Sequence, residues 1–389
     1  MKTVITTEKI PIKLWLNEIE PGALRQSKNL ANLPFAYKHL AIMPDTHEGY
    51  GMPIGGVLAT KGVVIPNAVG VDIGCGMCAV KTSLTGVSKP ELVKIVDLIK
   101  EMIPVGFKHH KKAQNENLMP AGFETVGMHI VKAQFDSALH QLGTLGGGNH
   151  FIEIQKGDDD KIWIMIHSGS RNIGLKVAEY YNKTAVKLNE MYFSQVEKSK
   201  ELAFLPIQTD EAHKYFAEMK YCVEFAFANR QLMMNRVIQC FLEVIPSSLS
   251  FDPVINIAHN YARWENHFSQ DVIVHRKGAT SARLGEIGII PGSQGTKSYI
   301  VEGLGNPESF TSCSHGAGRK MGRKQAIREL NLGEQIKSME AQGILHGIAA
   351  AKDLDEAPGA YKDIDTVMEN QADLVKILVG LKPLAVIKG

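Results

Sequence analysis

Val71-Asp72-Ile73-Gly74-Cys75-Gly76 runs an apolar strand into a glycine turn that carries a carboxylate and a thiol three residues apart. Glycine lets such a turn take positive φ or come close to a ligand. Carboxylate, thiolate and imidazole are the side chains that bind transition metals or act as nucleophiles. Four further stretches carry a ligand-type residue at a strand end: Gly146-Gly147-Gly148-Asn149-His150, Ile166-His167-Ser168-Gly169-Ser170-Arg171 and Ser312-Cys313-Ser314-His315-Gly316-Ala317-Gly318-Arg319 beside glycines, and Ile257-Ala258-His259-Asn260 beside small or polar residues. One such segment means little, but five in one chain point to a single assembled site. Its ligands come from both halves, at Asp72 and at His315, so the expected fold is one interwoven α+β domain.

The 389 residues, 44% hydrophobic and 22% charged, suit a soluble globular chain with a large core. The net charge of +2 leaves any polyanion partner to local patches, such as Lys108-His109-His110-Lys111-Lys112 and Arg319-Lys320-Met321-Gly322-Arg323-Lys324. Five widely spaced cysteines, an odd count, argue against a disulfide framework and for a reducing compartment. The amino terminus has no apolar signal-peptide core, and no apolar run reaches the ~18 residues of a membrane span. The expectation is a cytoplasmic protein without a membrane partner.

Strands and tight turns are expected over 35–82, followed by a helix capped by Ser88 and Glu91 with Leu92, Ile95, Val96, Ile99, Met102 and Ile103 on one face. Residues 104–122 read as a loop, and Phe151–Ile154 and Ile162–Ile166 as buried strands. The chain then turns helical from about 174 to 245, broken near Leu205-Pro206, with one long helix or two after Asp210. Strands return at 272–275 and 299–301, helices at about 322–342 and 365–381, and a last strand at Leu384–Ile387.

Asp72 and Cys75 can aim at one point, and a thiolate can bridge two cations. Alone, the pair reads equally as a buried cysteine beside a turn-forming aspartate. His150, His167 and His259 bring the donor count to five, enough for two metals sharing the thiolate, although spacing cannot show convergence. Cys75 and Cys78 form a C-x-x-C with no second pair and no thioredoxin context, so it is discounted. Ser168-Gly169-Ser170-Arg171 and Pro291-Gly292-Ser293-Gln294-Gly295 look like phosphate-holding turns or plain structural ones, and neither fits the P-loop or dinucleotide patterns. His315 sits among residues with almost no side chain, where an imidazole can attack phosphorus or serve as a ligand or acid.

At this point the chain resembles the RtcB family of GTP-dependent RNA ligases. The matching runs are Pro44–Gly51, Val71–Met77, Gly147–Glu153, His167–Arg171, Arg276–Ala279, Ile290–Ser293, Ser314–Arg319, Ala360–Asp363 and Val386–Gly389, nearly the whole chain in family order. The resemblance implies a single large domain over 1–389, with mixed β-sheets flanked by helices and an active site at strand-end loops. It implies two Mn²⁺ ions and GTP, with GMP carried on the residue matching His315. GMP would pass to an RNA 3′-phosphate, opened first where it is a 2′,3′-cyclic phosphate, and a 5′-hydroxyl would displace it.

By the same resemblance Cys75 bridges the metals, Asp72 and His150 complete one site, and His167 and His259 the other. Guanylate contacts match Asn149, Glu153, Asn260, Ser293, Ser298, Gly316, Ala317, Gly318, Tyr361 and Lys388, and Arg171 and Lys277 match holders of the RNA phosphate. Asp45 and His47 belong only to the vicinity of the metals. Thr46 stands where valine is usual, and the variable regions 105–140 and 190–215 are compact. Partners implied are RNA bearing a 3′-phosphate or cyclic phosphate and a 5′-hydroxyl, with an activator protein left open.

Two other classes compete. A dinuclear metal phosphoesterase fits the ligand set but leaves His315 in its small-residue turn without a task. A non-catalytic RNA-end or ribosome-binding module needs no full set of metal ligands and nucleophile. Asp with three His and one Cys suits Mn²⁺ at least as well as zinc.

Overall fold

The computed structural model describes residues 1–389 except 126, 247 and 248. Two sheets form the framework. A six-stranded sheet runs in the order Thr3–Ile5, Ile12–Leu14, Ala36–His47, Ile54–Thr60, Gln270–Lys277, Asn260–His267. It is mixed, because Ile12–Leu14 lies parallel to Ala36–His47 while its other pairs are antiparallel. The seven-stranded sheet runs Ile255–Ala258, Gly76–Lys81, Ile162–Ser168, Phe151–Gly157, Val375–Lys388, Ser298–Gly303, Ile287–Ile290. The two sheets meet at His259, the single residue between strands Ile255–Ala258 and Asn260–His267. Neither half of the chain owns a sheet, as expected for an interwoven α+β unit.

Helices cover the seven-stranded sheet. Lys89–Met102 starts with the expected capping box, Ser88 accepting from the Glu91 N–H and Glu91 reaching back to the Ser88 N–H. Leu92, Ile95, Val96 and Ile99 bury its apolar face. Asp210–Val244 is one helix of 35 residues, capped by Thr209 and packed on the strands that carry Cys78 and Ile166. Cys78 points into that core, away from Cys75, and all five cysteines are free and buried. No helix among the described residues is long and apolar enough to cross a membrane.

Two expectations need correction. The region 365–381 is helical only over Ile364–Asn370, and Val375–Lys388 is one 14-residue strand. Its β-branched residues Val375, Ile377 and Val379 pair with Ser298–Gly303, and its second half pairs with Phe151–Gly157, so two partners override a helix-compatible composition. The helix at 322–342 is split into Arg323–Glu329 and Leu332–Ala341, because Asn331 caps the second through the Glu334 N–H. A helix at His129–Gln141 lies in a stretch that gave no such signal.

Gly76 shows why the opening motif needs glycine. It pairs with Ala258, and a Cβ there would sit 1.9 Å from the Ile257 carbonyl oxygen. Gly76→Ala should destabilise the protein by about 2 kcal/mol or more, as overpacking against rigid backbone does, read as a lower midpoint in a urea melt.

Candidate active site

Sheet register assembles the ligands. Cys75 precedes the strand whose Met77 faces His167, and His167 in turn pairs with Phe151, the residue after His150. The His259 N–H donates to the Cys75 carbonyl at 2.8 Å, which draws the last imidazole in. Asp72, Cys75 and His150 form one donor group, and Cys75, His167 and His259 a second, with the donor atoms of each within 4.8 Å of one another. The sulfur belongs to both. It lies 3.5 Å from His150 Nε2 and 3.3 Å from His167 Nε2.

These donors fit divalent cations on chemistry as well as position. His150 Nδ1 is 3.1 Å from the Leu145 carbonyl oxygen and His167 Nδ1 is 3.1 Å from that of Asn149. With Nδ1 donating there, each Nε2, once free of its proton, offers its lone pair to a cation, the usual arrangement of a metal histidine. His259 Nδ1 is buried with no hydrogen-bond partner among the described residues, an orphan that a cation would satisfy. Burial holds His167 and His259 well below the ordinary imidazole range, so both are neutral. Burial acts to raise the Asp72 carboxyl, but the His150 hydrogen bond and charge outweigh it and hold it at about 2. Burial, then the Asp72 charge, push the Cys75 thiol well up, a bias that a bound cation reverses.

His315 follows the short strand Ser312–Ser314, and its ring lies edge-on to His259 with centroids 4.8 Å apart. His315 Nδ1 donates to Asp45 Oδ2 at 2.6 Å, and the His315 backbone N–H donates to the same oxygen at 3.1 Å. Asp45 is buried. Burial works to raise its carboxyl, yet the His315 charge and hydrogen bond, helped by Lys362 and His47, hold it below the usual range. Lys362 Nζ donates to the carbonyls of Pro44 and Thr46, clamping the strand on both sides of Asp45. The turn and this strand touch closely: at Gly318, φ is 73° and a Cβ would lie 2.0 Å from the Asp45 carbonyl oxygen. The Asp45 contact keeps a proton on His315 Nδ1, so the neutral ring carries its lone pair on Nε2, which is the form a nucleophile requires.

A cleft of about 860 Å³ opens over His167 and His315. Asn149, Ser293, Tyr361 and Lys388 line it, as do Gly316, Ala317 and Gly318. Glu153 and Ser298 lie behind its wall, where Gln155 Nε2 donates to Glu153 Oε2 at 2.6 Å and to Ser298 Oγ at 3.2 Å. Burial raises Glu153 to about 8 against the pull of Gln155 and Lys388. Asn260 is turned into the framework, its amide bridging the Asp72 carbonyl and the Gly278 N–H.

Lys277 is buried with its amine on the Tyr50 and Asn67 carbonyls, and burial lowers it to about 7. Arg171 donates to Thr144 Oγ1 and the Gly106 carbonyl. Ser168 and Ser170 donate to the carbonyls of Leu145 and Ile73, so their hydroxyls serve the turn itself.

Two participants carry no assigned role in the sequence reading. Asp45 was placed only near the metals, and its bond to His315 spans 270 positions. Glu356 went unnoticed. It is a buried carboxylate in the cleft wall that gathers Arg319 at 3.0 Å, Arg323 at 2.8 Å and Lys388 at 3.9 Å, and accepts from the Tyr361 hydroxyl. Only the acidic pair Asp355-Glu356 before Pro358 hinted at it.

The arrangement defines a nucleotidyl-transfer class of site: paired cation-binding groups, a buried carboxylate orienting an imidazole, and a basic cleft. The family described as tRNA-splicing ligase RtcB matches residues 26–389. The chain is 40% identical to the RNA-splicing ligase RtcB of Escherichia coli over 409 aligned positions, covering 99% of each chain. It is 32% identical to the tRNA-splicing ligase RtcB of Thermococcus kodakarensis, over 94% of this chain and 91% of that one. The RNA-splicing ligase RtcB homolog 2 of Entamoeba dispar is 34% identical, over 97% of this chain and 87% of its own length. The chain belongs to the RtcB family.

Proposed function

We propose that this chain joins an RNA 3′-phosphate or 2′,3′-cyclic phosphate end to a 5′-hydroxyl end, with GTP as co-substrate. The observation that carries this reading is the pairing of His315 with buried Asp45 beside two cation-binding groups that share Cys75. Asp72 and His150 with Cys75, and His167 and His259 with Cys75, would hold two Mn²⁺ ions. When bound, these ions supply positive charge against the phosphate oxygens.

The rest is the work of the chain. Asp45 holds the His315 Nδ1 proton, so Nε2 attacks the α-phosphorus of GTP, a nitrogen–phosphorus bond forms, and pyrophosphate departs. A cyclic phosphate end is opened by water to the 3′-phosphate. One oxygen of that phosphate then displaces His315 from GMP, and finally the 5′-hydroxyl displaces GMP to leave a phosphodiester. Asn149, Ser293, Tyr361 and Lys388 line the cleft and would hold the guanylate, with Glu153 and Ser298 reached only if their shared hydrogen bonds open. Arg171 is assigned to RNA phosphate on its place beside the Asp72 turn. Lys277 and Asn260 act by holding backbone.

A dinuclear phosphoesterase would need the same cations but neither the His315–Asp45 pair nor the cleft above it. The deciding experiment supplies Mn²⁺, radiolabelled GTP, and RNA oligonucleotides ending in 3′-phosphate and 5′-hydroxyl. Acid-labile label on the protein, chased to RNA and lost on joining, supports the ligase. Phosphate release without protein label supports the phosphoesterase.

Asp45→Asn should retain metal but slow protein labelling roughly 10³-fold or more, the scale for losing a carboxylate that sets an imidazole tautomer. Label incorporation at saturating GTP measures this, and a rate within tenfold of wild type would count against the assignment.

A further inference from the structure

Phe107 is fully exposed, at 101% of the reference surface for the residue. Isolated exposed apolar side chains are ordinary, but three features set this one apart. It stands at the tip of a tight turn, in which Gly106 takes φ 64° and the Lys108 N–H donates to the Val105 carbonyl at 3.2 Å. Such a turn presents the ring in a fixed direction rather than on a slack loop.

The residues that follow are Lys108, His109, His110, Lys111 and Lys112, with no acid between Val105 and Asn115. The root of the turn is tied to the active-site segment. Leu145 N–H donates to the Pro104 carbonyl at 3.0 Å, Gly106 N–H donates to that of Gly146 at 2.9 Å, and Arg171 donates to that of Gly106 at 3.4 Å. Gly146 leads directly into Asn149, which lines the cleft, and His150, which belongs to a cation group. An exposed aromatic ring among cations is the arrangement that grips single-stranded nucleic acid, with base on ring and phosphates on lysines.

We propose that Phe107 stacks on a nucleobase of single-stranded RNA close to the end being joined, while Lys108, Lys111 and Lys112 meet the neighbouring phosphates. The proposal rests on the ligase reading for its choice of RNA. Phe107 also falls in the compact region 105–140, so it assigns a grip on substrate to a part of the chain where family resemblance assigned none.

The test compares wild type, Phe107→Ala and Phe107→Trp on 3′-phosphate RNA oligonucleotides, some with an abasic site or 2-aminopurine at one of the last three nucleotides. Phe107→Ala should raise KM for RNA about tenfold, toward the lower end for one base–aromatic stack, with kcat and His315 labelling by GTP unchanged. Phe107→Trp should restore KM. One abasic position should raise KM in wild type by the same factor and have no further effect in Phe107→Ala. Quenching of 2-aminopurine on binding should be present in wild type and absent in Phe107→Ala.

A Phe107→Ala protein with wild-type KM, or one that still suffers the full abasic penalty, overturns the proposal. If wild type takes no label from GTP, the ligase reading fails, and the 2-aminopurine titration still decides whether Phe107 stacks.

Discussion

Given Mn²⁺ and labelled GTP, His315→Ala takes up no covalent label while retaining its metal. The ring of His315 belongs to neither donor group, so its removal leaves Asp72, Cys75, His150, His167 and His259 in place. What it removes is the only imidazole among the described residues whose Nδ1 is within hydrogen-bond distance of a buried carboxylate. The same change strands Asp45 without a ring partner, and an unpaired buried acceptor costs about 1–3 kcal/mol. A null result from unfolding is therefore separated by a second variant. His315→Asn keeps a side-chain N–H to offer Asp45 but has no nucleophilic nitrogen, so it should fold with wild-type stability and still take no label. Label on either variant at more than a thousandth of the wild-type rate would move the nucleophile elsewhere.

How much of this was legible depended on whether the information was local. The cation donors could be read because they sit at four strand ends, three of them beside glycines, and sheet pairing then brings those ends to one place. The capping box at Ser88 was legible for the same reason, its partners being three residues apart. Asp45 and Glu356 were not, because their importance lies in partners hundreds of positions or several elements away: His315 for one, and Arg319, Arg323 and Lys388 for the other. The strand Val375–Lys388 was misread where two flanking strands, from residues 151–157 and 298–303, decide its form. The glycines were read as making room for ligand. Gly76 and Gly318 instead make room for the chain's own carbonyls, at Ile257 and Asp45, and that close approach is what sets the donors and the nucleophile side by side.

The shared sulfur gives the second large effect. Cys75→Ala should empty both cation groups together, whereas Asp72→Asn and His259→Ala should each weaken one. The distinction follows from membership: Cys75 is in both triads, Asp72 and His259 in one apiece. Losing a partner that merely orients a metal ligand costs about 10–100-fold in affinity, so losing a directly coordinating thiolate should exceed 100-fold at each site. The remaining donors cannot close the gap. His150 and His167 are pinned by their carbonyl hydrogen bonds at 3.1 Å, and the strands bearing them are locked in register. Asp72 is the one other anionic donor and serves only one group, while His167 and His259 are neutral donors. Elemental analysis after dialysis should find two Mn²⁺ per wild-type chain, about one in Asp72→Asn or His259→Ala, and essentially none in Cys75→Ala, with RNA joining lost in parallel. A Cys75→Ala protein that keeps one full equivalent of metal would show that the two groups do not depend on a common ligand.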